Sequence, residues 1–178
     1  MLLDVYLRLS AGGGLQPPAL AFVFDKETRS ENEREELLRR LGGKVHFLPV
    51  RMFENYLVHP QAIATLASSI DGFFADDESA EPLHLVETWL NKNMWAERYF
   101  RSPVPEADRS PEKWREEAHG ADLLADLFND LSECRVPYEK VTYGSMLADW
   151  LLENSPVDLK EPSDFLEGIL VAQGSGFE

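Results

Sequence analysis

Leu20-Ala21-Phe22-Val23-Phe24-Asp25-Lys26-Glu27 is the stretch on which the fold turns: five apolar residues run straight into an acid, a base and an acid. A continuous apolar run this short, entered through Pro17-Pro18, reads as a strand buried on both faces, the pattern of a parallel sheet. Ser30 then stands three residues before Glu33, the spacing of a capping box, and Leu37, Leu38 and Leu41 form an apolar stripe ahead of Gly42-Gly43. These residues predict a helix with both ends marked. Val45-His46-Phe47-Leu48, halted by Pro49, predicts a second strand. Residues 20–48 therefore form a β-α-β unit with a right-handed crossover and parallel neighbouring strands.

Working outward, the pattern turns helical. Helices are expected over 60–66 and from Pro82 to about Phe100, each with proline where a first turn accepts it. The acidic stretch 71–81 between them, with Asp76-Asp77-Glu78, reads as a solvated loop, and 101–111 as a second loop leading to a helix start at Ser110-Pro111. Further helices are expected over 121–131, 146–152 and 165–170, with a strand over Arg135 to Tyr143 between helices. The expected architecture is α/β: a parallel-sheet core over 20–58 and a mainly helical part over 59–178, within a single domain of 178 residues.

The chain carries 17 Lys and Arg against 32 Asp and Glu, a formal charge of -15. Such a surface repels phosphate backbones and anionic membranes as a whole, so any contact with nucleic acid has to be local, metal-bridged or made by a partner. The single cysteine, Cys134, excludes an internal disulfide framework and a thiolate zinc cluster, which fits a reducing cytoplasm. Residues 1–9 include Asp4 and Arg8 and lack the long apolar run of a signal peptide or membrane span, so a soluble, unprocessed protein is expected. No Gly-x-x-x-x-Gly-Lys-Ser/Thr occurs anywhere in the chain, so it is not itself a P-loop ATPase.

In parallel α/β sheets ligands collect beyond the carboxyl ends of the strands. Asp25 stands at such an end, Glu27 lies two residues on, and Glu54 follows the second strand, so the three carboxylates can share a hard cation, Mg2+ or Mn2+. Ions held this way are common machinery for phosphodiester hydrolysis. Acids after strands also serve as helix caps and turn formers, and that reading stays open for Asp25 and Glu27. His119, beside a glycine at a helix start, is read as a cap before an acid or base. His46 is read as a strand-face residue, and Trp89, Trp95, Trp114 and Trp150 as core before base-stacking surfaces. Tyr56 is expected to anchor packing and Asn55 to orient its turn.

The run Phe22 to Glu27, the helix after it, and Leu48-Pro49-Val50-Arg51-Met52-Phe53-Glu54-Asn55-Tyr56-Leu57 resemble the second half of the TOPRIM domain found in OLD-type, ATPase-linked nucleases. His119-Gly120-Ala121-Asp122-Leu123-Leu124 and Tyr138 to Gly144 resemble that family's C-terminal region. The resemblance implies a Rossmann-like TOPRIM core and a magnesium-dependent endonuclease or nicking activity on DNA. It also implies an association with an ABC-type ATPase and a role in phage defence or DNA processing; a homo-oligomer is one assembly left open. Asp25 matches the first acid of the family's Asp-x-Asp motif, whereas Glu27 replaces the second. Lys140 resembles a late lysine that stabilises charge in the transition state; on its own residues it reads as a solvated strand-edge lysine. Ala121 stands where relatives tend to carry lysine. The family's glycine-flanked glutamate has no counterpart before residue 20, where Asp4 is the only acid, so the domain is expected to be incomplete at its N-terminus. The second expectation is a degenerate TOPRIM-like module that docks to an ATPase or another protein.

Overall fold

The computed structural model describes residues 21–26, 30–41, 44–74 and 81–174. Strand β1 (Phe22–Phe24) pairs in parallel with β2 (Val45–Phe47), with Phe22 opposite Val45 and Phe24 opposite Phe47. The pairing is prolonged past both strands, because Phe24 O accepts from Leu48 N at 3.0 Å and Arg51 O from Lys26 N at 2.9 Å. Between the strands runs α1 (Glu31–Leu41), closed at its start by the expected box: Ser30 N donates to Glu33 Oε2 at 2.7 Å, and Glu33 N to Ser30 Oγ at 3.3 Å. Acids in its first turn and Arg39 and Arg40 in its last complement the helix dipole.

Burial departs from the sequence expectation here. β1 is not enclosed on both faces: Val23 is 36% exposed, whereas Val45 on β2 is 1% exposed. Among the described residues β1 has one partner strand, and no side chain of α1 is fully buried over the pair. Aromatic contacts compensate, with Phe24 packed 6.1 Å from Phe47 between ring centres.

The core lies in the helical part. It is built on α2 (Glu54–Leu57), α3 (Pro60–Ser69), α4 (Pro82–Asn93), α5 (Pro111–Glu117), α6 (Gly120–Leu131), α7 (Lys140–Asn154) and α8 (Lys160–Gly174). Prolines open α3, α4 and α5, and Ser110 caps α5 by accepting from Lys113 N. α3 packs against α4 and α7 and buries Ala62, Ile63, Ala64, Leu66 and Ala67. Leu123, Leu124, Leu127 and Phe128, the apolar face of α6, are wholly buried. Phe128 is the hub, with Phe73 and Tyr138 edge-on at 5.1 Å and Tyr143 at 5.3 Å. Trp89 and Trp114 are buried and their ring N–H groups donate inside the protein, to Asp130 Oδ2 and Met94 O, so these two are core residues.

The strand expected over Arg135 to Tyr143 does not form. After α6 the chain turns through Glu133 and Cys134, both at positive φ, and Ser132 Oγ accepts from Val136 N; α7 then begins at Lys140. Val141-Thr142-Tyr143 carries strand propensity, but Gly144, Leu147 and Leu151 recur at helical spacing and are the residues α7 buries. Packing of that face overrides the local preference, and Val141 is left 82% exposed. No helix among the described residues is long and apolar enough to cross a membrane.

Three phenols give the fold an alkaline limit. Burial, and then the hydrogen bond it donates to Asp126, push Tyr99 up to about 12, and burial is also the main cause raising Tyr56 and Tyr138. An unfolded tyrosine ionises near about 10. The folded state therefore holds these protons more tightly, so their stabilisation is complete below about pH 10 and is lost as pH climbs through about 12. Tm should fall steeply across that window while phenolate absorbance at 295 nm rises together with unfolding. Full titration of the tyrosines by about pH 10.5 in a chain with native circular dichroism would refute this.

Candidate functional site

Asp25 leaves β1 where the prolonged pairing carries the chain past Pro49 into α2. Its carboxylate Oδ1 accepts from Phe53 N at 3.0 Å, so one of its tasks is to cap the first turn of α2, as the turn-forming alternative holds. Glu54, the next residue along, is 2% exposed despite its charge. Lys140, at the start of α7, meets it: Nζ lies 2.7 Å from Glu54 Oε1, with the lysine side chain 57% exposed. A carboxylate this buried needs a compensating cation, and Lys140 supplies one from a side chain that stays largely exposed. Lys140 is thus a helix-start residue tied to Glu54, not a strand-edge lysine.

Asp25, Glu54 and Lys140 line one cleft of about 360 Å³, with Leu57, Gly144 and Ala148 forming its apolar wall. Three residues singled out in the sequence are thereby brought together from three separate segments. Glu27 lies outside the described residues. Among the described residues, Glu54 Oε2 and Tyr138 Oη are buried at this place without a hydrogen-bond partner. They are linked electrostatically, since Glu54's charge joins burial in raising the Tyr138 phenol. Tyr138 lies just behind the wall, because a Cβ on Gly144 would sit 3.3 Å from its hydroxyl. The sequence gives no signal for Tyr138 as a site residue: it stands in the link before α7, and only the packing of α7 on α2 brings it near Glu54.

An unpartnered, buried carboxylate oxygen is an acceptor suited to a hard cation, and Asp25 adds a second carboxylate to the same cleft. Among the described residues no group of three or more His, Cys, Asp or Glu is placed to hold a metal ion. Magnesium does not require one, since it keeps several waters and commonly takes one or two carboxylates together with substrate phosphates. Two carboxylates lining one cleft do not make a closed protein cage for a metal ion.

The remaining candidates fall to structural roles. His119 Nδ1 accepts from Asp122 N at 3.2 Å, making it the N-cap of α6. His46 meets Phe165 edge-on at 6.5 Å. Tyr56 is buried and anchors α2. Asn55 goes well beyond orienting its turn: its amide donates to Arg115 O and Ala118 O, and its Oδ1 accepts from Gly120 N. Cys134 is exposed. Comparison with protein-family models, curated proteins and solved structures finds no match to this chain.

Proposed function

We propose that this chain is a TOPRIM-like module that cleaves phosphodiester bonds of DNA with Mg2+ or Mn2+, acting with an ABC-type ATPase of the OLD-like kind. The observation that carries the reading is the convergence of Asp25 and buried Glu54 on one cleft, with Glu54 Oε2 unpartnered. The metal would polarise the phosphate and offset charge on the leaving oxygen. The chain's own part is preorganisation. Phe53 N–H fixes the Asp25 carboxylate, Lys140 fixes one oxygen of Glu54, and Leu57, Gly144 and Ala148 form an apolar wall beside the two carboxylates. Lys140 is a positioning residue in this scheme, because its ammonium is engaged by Glu54.

A plasmid-nicking assay with a magnesium or manganese titration tests the proposal. Asp25→Ala, Glu27→Ala and Glu54→Gln should each abolish metal-dependent nicking, and Lys140→Met should lower it by roughly 10–100-fold, as losing the neighbour of a metal ligand does. Nicking that is indifferent to Asp25 and Glu54 defeats the reading. The second reading, a degenerate module that docks to an ATPase or another protein, draws on the lack of a group of three metal-ligating side chains among the described residues. It predicts no heat of divalent binding in calorimetry and no cleavage by any variant, with retained association to its partner.

A further inference from the structure

Among the described residues β1 is paired along one edge only, by β2. Phe24 O accepts from Leu48 N, so the backbone of Phe24 is turned toward β2 and, by the alternation of a strand, the N–H and C=O of Val23 are turned toward the opposite edge. The Val23 side chain stands on the sheet face that α8 covers, because Val23 is in register with His46 and His46 meets Phe165 of α8. Between this strand edge and the helix runs a groove of about 340 Å³, walled by Val23, Leu48, Phe53, Pro162 and Leu166, with Asp25 the charged residue of an otherwise apolar lining. Val23 and Phe53 are both partly exposed, and the apolar surface continues along α8, where Leu166 is 44% exposed and Leu170, one turn on, 70%. A strand edge beside exposed apolar side chains is a template for another strand.

We propose that this edge pairs with a second copy of the chain, the two β1 strands running antiparallel about a two-fold axis at Val23. The edge is self-complementary. Val23 N–H donates to the carbonyl of Val23 of the partner subunit and the same bond is returned, which is the hydrogen-bonded pair of an antiparallel ladder and the isologous contact of a two-fold dimer. Phe22 then faces Phe24 of the partner subunit and Asp25 faces Ala21 of the partner subunit, so no like charges are set opposite each other. The two short sheets join into one of four strands, where a pair of strands alone is marginal. A formal charge of -15 on each copy opposes the association, so the contact is main-chain and apolar in character and tightens as salt screens the repulsion.

Sedimentation velocity of the full chain, from micromolar to near-millimolar concentration, reads the assembly. A dimer is expected, tighter at high chloride. Val23→Lys puts a charge on the strand edge and Leu166→Glu puts one on the exposed surface of α8; each should raise the dimer dissociation constant by at least about tenfold, with circular dichroism unchanged. Cross-linking reads the position of the two-fold axis. In a Cys134→Ser background, Val23→Cys places two thiols on a pair whose Cα atoms lie about 5.5 Å apart, within the span of a disulfide, so mild oxidation should yield a covalent dimer. Val157→Cys, exposed and outside the groove's lining, should yield none. A monomer at every concentration overturns the proposal, whichever segment then covers the edge. So does a dimer that both charged variants leave intact, or a Val23→Cys chain that cross-links no faster than Val157→Cys. None of these readouts involves a metal ion or DNA, so they stand or fall separately from the cleavage reading.

Discussion

Asn55→Ala is expected to lower stability by about 3–5 kcal/mol, which in a chain of this size moves Tm by roughly 10 °C or more. The side chain is 4% exposed and uses its whole amide: two donors, to Arg115 O at 2.6 Å and Ala118 O at 2.9 Å, and one acceptor, from Gly120 N at 3.0 Å. It ties α2 to the link between α5 and α6, where Ala118 is wholly buried. Truncation leaves three backbone groups without a partner, each costing about 1–3 kcal/mol when water cannot reach it. Asn55→Asp is the sharper variant, because it keeps the shape and the acceptor but loses both donors and sets a carboxylate against two carbonyl oxygens. It should be at least as damaging as alanine. Chemical denaturation of the three proteins checks this, and an alanine variant within about 1 kcal/mol of wild type would show that the clasp is solvated.

The parts of this fold written locally were legible in the sequence. Ser30 with Glu33, Ser110 with Pro111, and His119 before Gly120 each announce a helix start through bonds made within one turn, and all three are present. The parallel pairing of Phe22–Phe24 with Val45–Phe47 was legible because two apolar runs flank one capped helix. The stretch from Arg135 to Tyr143 was misread, since its β-branched and aromatic residues carry a strand preference and the helical face of Gly144, Leu147 and Leu151 is decided by packing on distant segments. The same limit applies to the sites. Asp25 and Glu54 could be picked out as acids after strands, and Lys140 through a family resemblance. Its ion pair with Glu54 and the role of Tyr138 each join residues far apart in the chain, and nothing periodic marks them. Asn55 looked like a turn residue because its partners lie on α5 and α6, some 60 residues on.

Two glycine-to-alanine substitutions on helices should move stability in opposite directions, and the larger effect belongs to Gly120. Alanine in place of glycine within a helix ordinarily gains about 0.5–1 kcal/mol. That gain is expected at Gly168 on α8, where an added Cβ meets nothing within 4 Å. At Gly120 the same Cβ would lie 2.4 Å from Asn55 Oδ1, 3.0 Å from Asn55 N and 3.0 Å from the Glu54 carbonyl carbon. Two of those atoms are backbone of α2, so rotation of a side chain cannot make room; the start of α6 has to move away from α2. That shift breaks the bond from Gly120 N to Asn55 Oδ1 and loosens Leu123 and Leu124, both wholly buried. Overpacking costs about 1–3 kcal/mol and the lost bond adds about 1 kcal/mol, so the clash outweighs the propensity gain and Gly120→Ala should destabilise by about 3 kcal/mol. The displacement also reaches the backbone of Glu54. Combining Gly120→Ala with Asn55→Ala removes the nearest clashing atom, and the double variant should be less destabilised than the two single changes added together. Additive losses would mean that the backbone of α2, and not the Asn55 side chain, sets how closely α6 can approach.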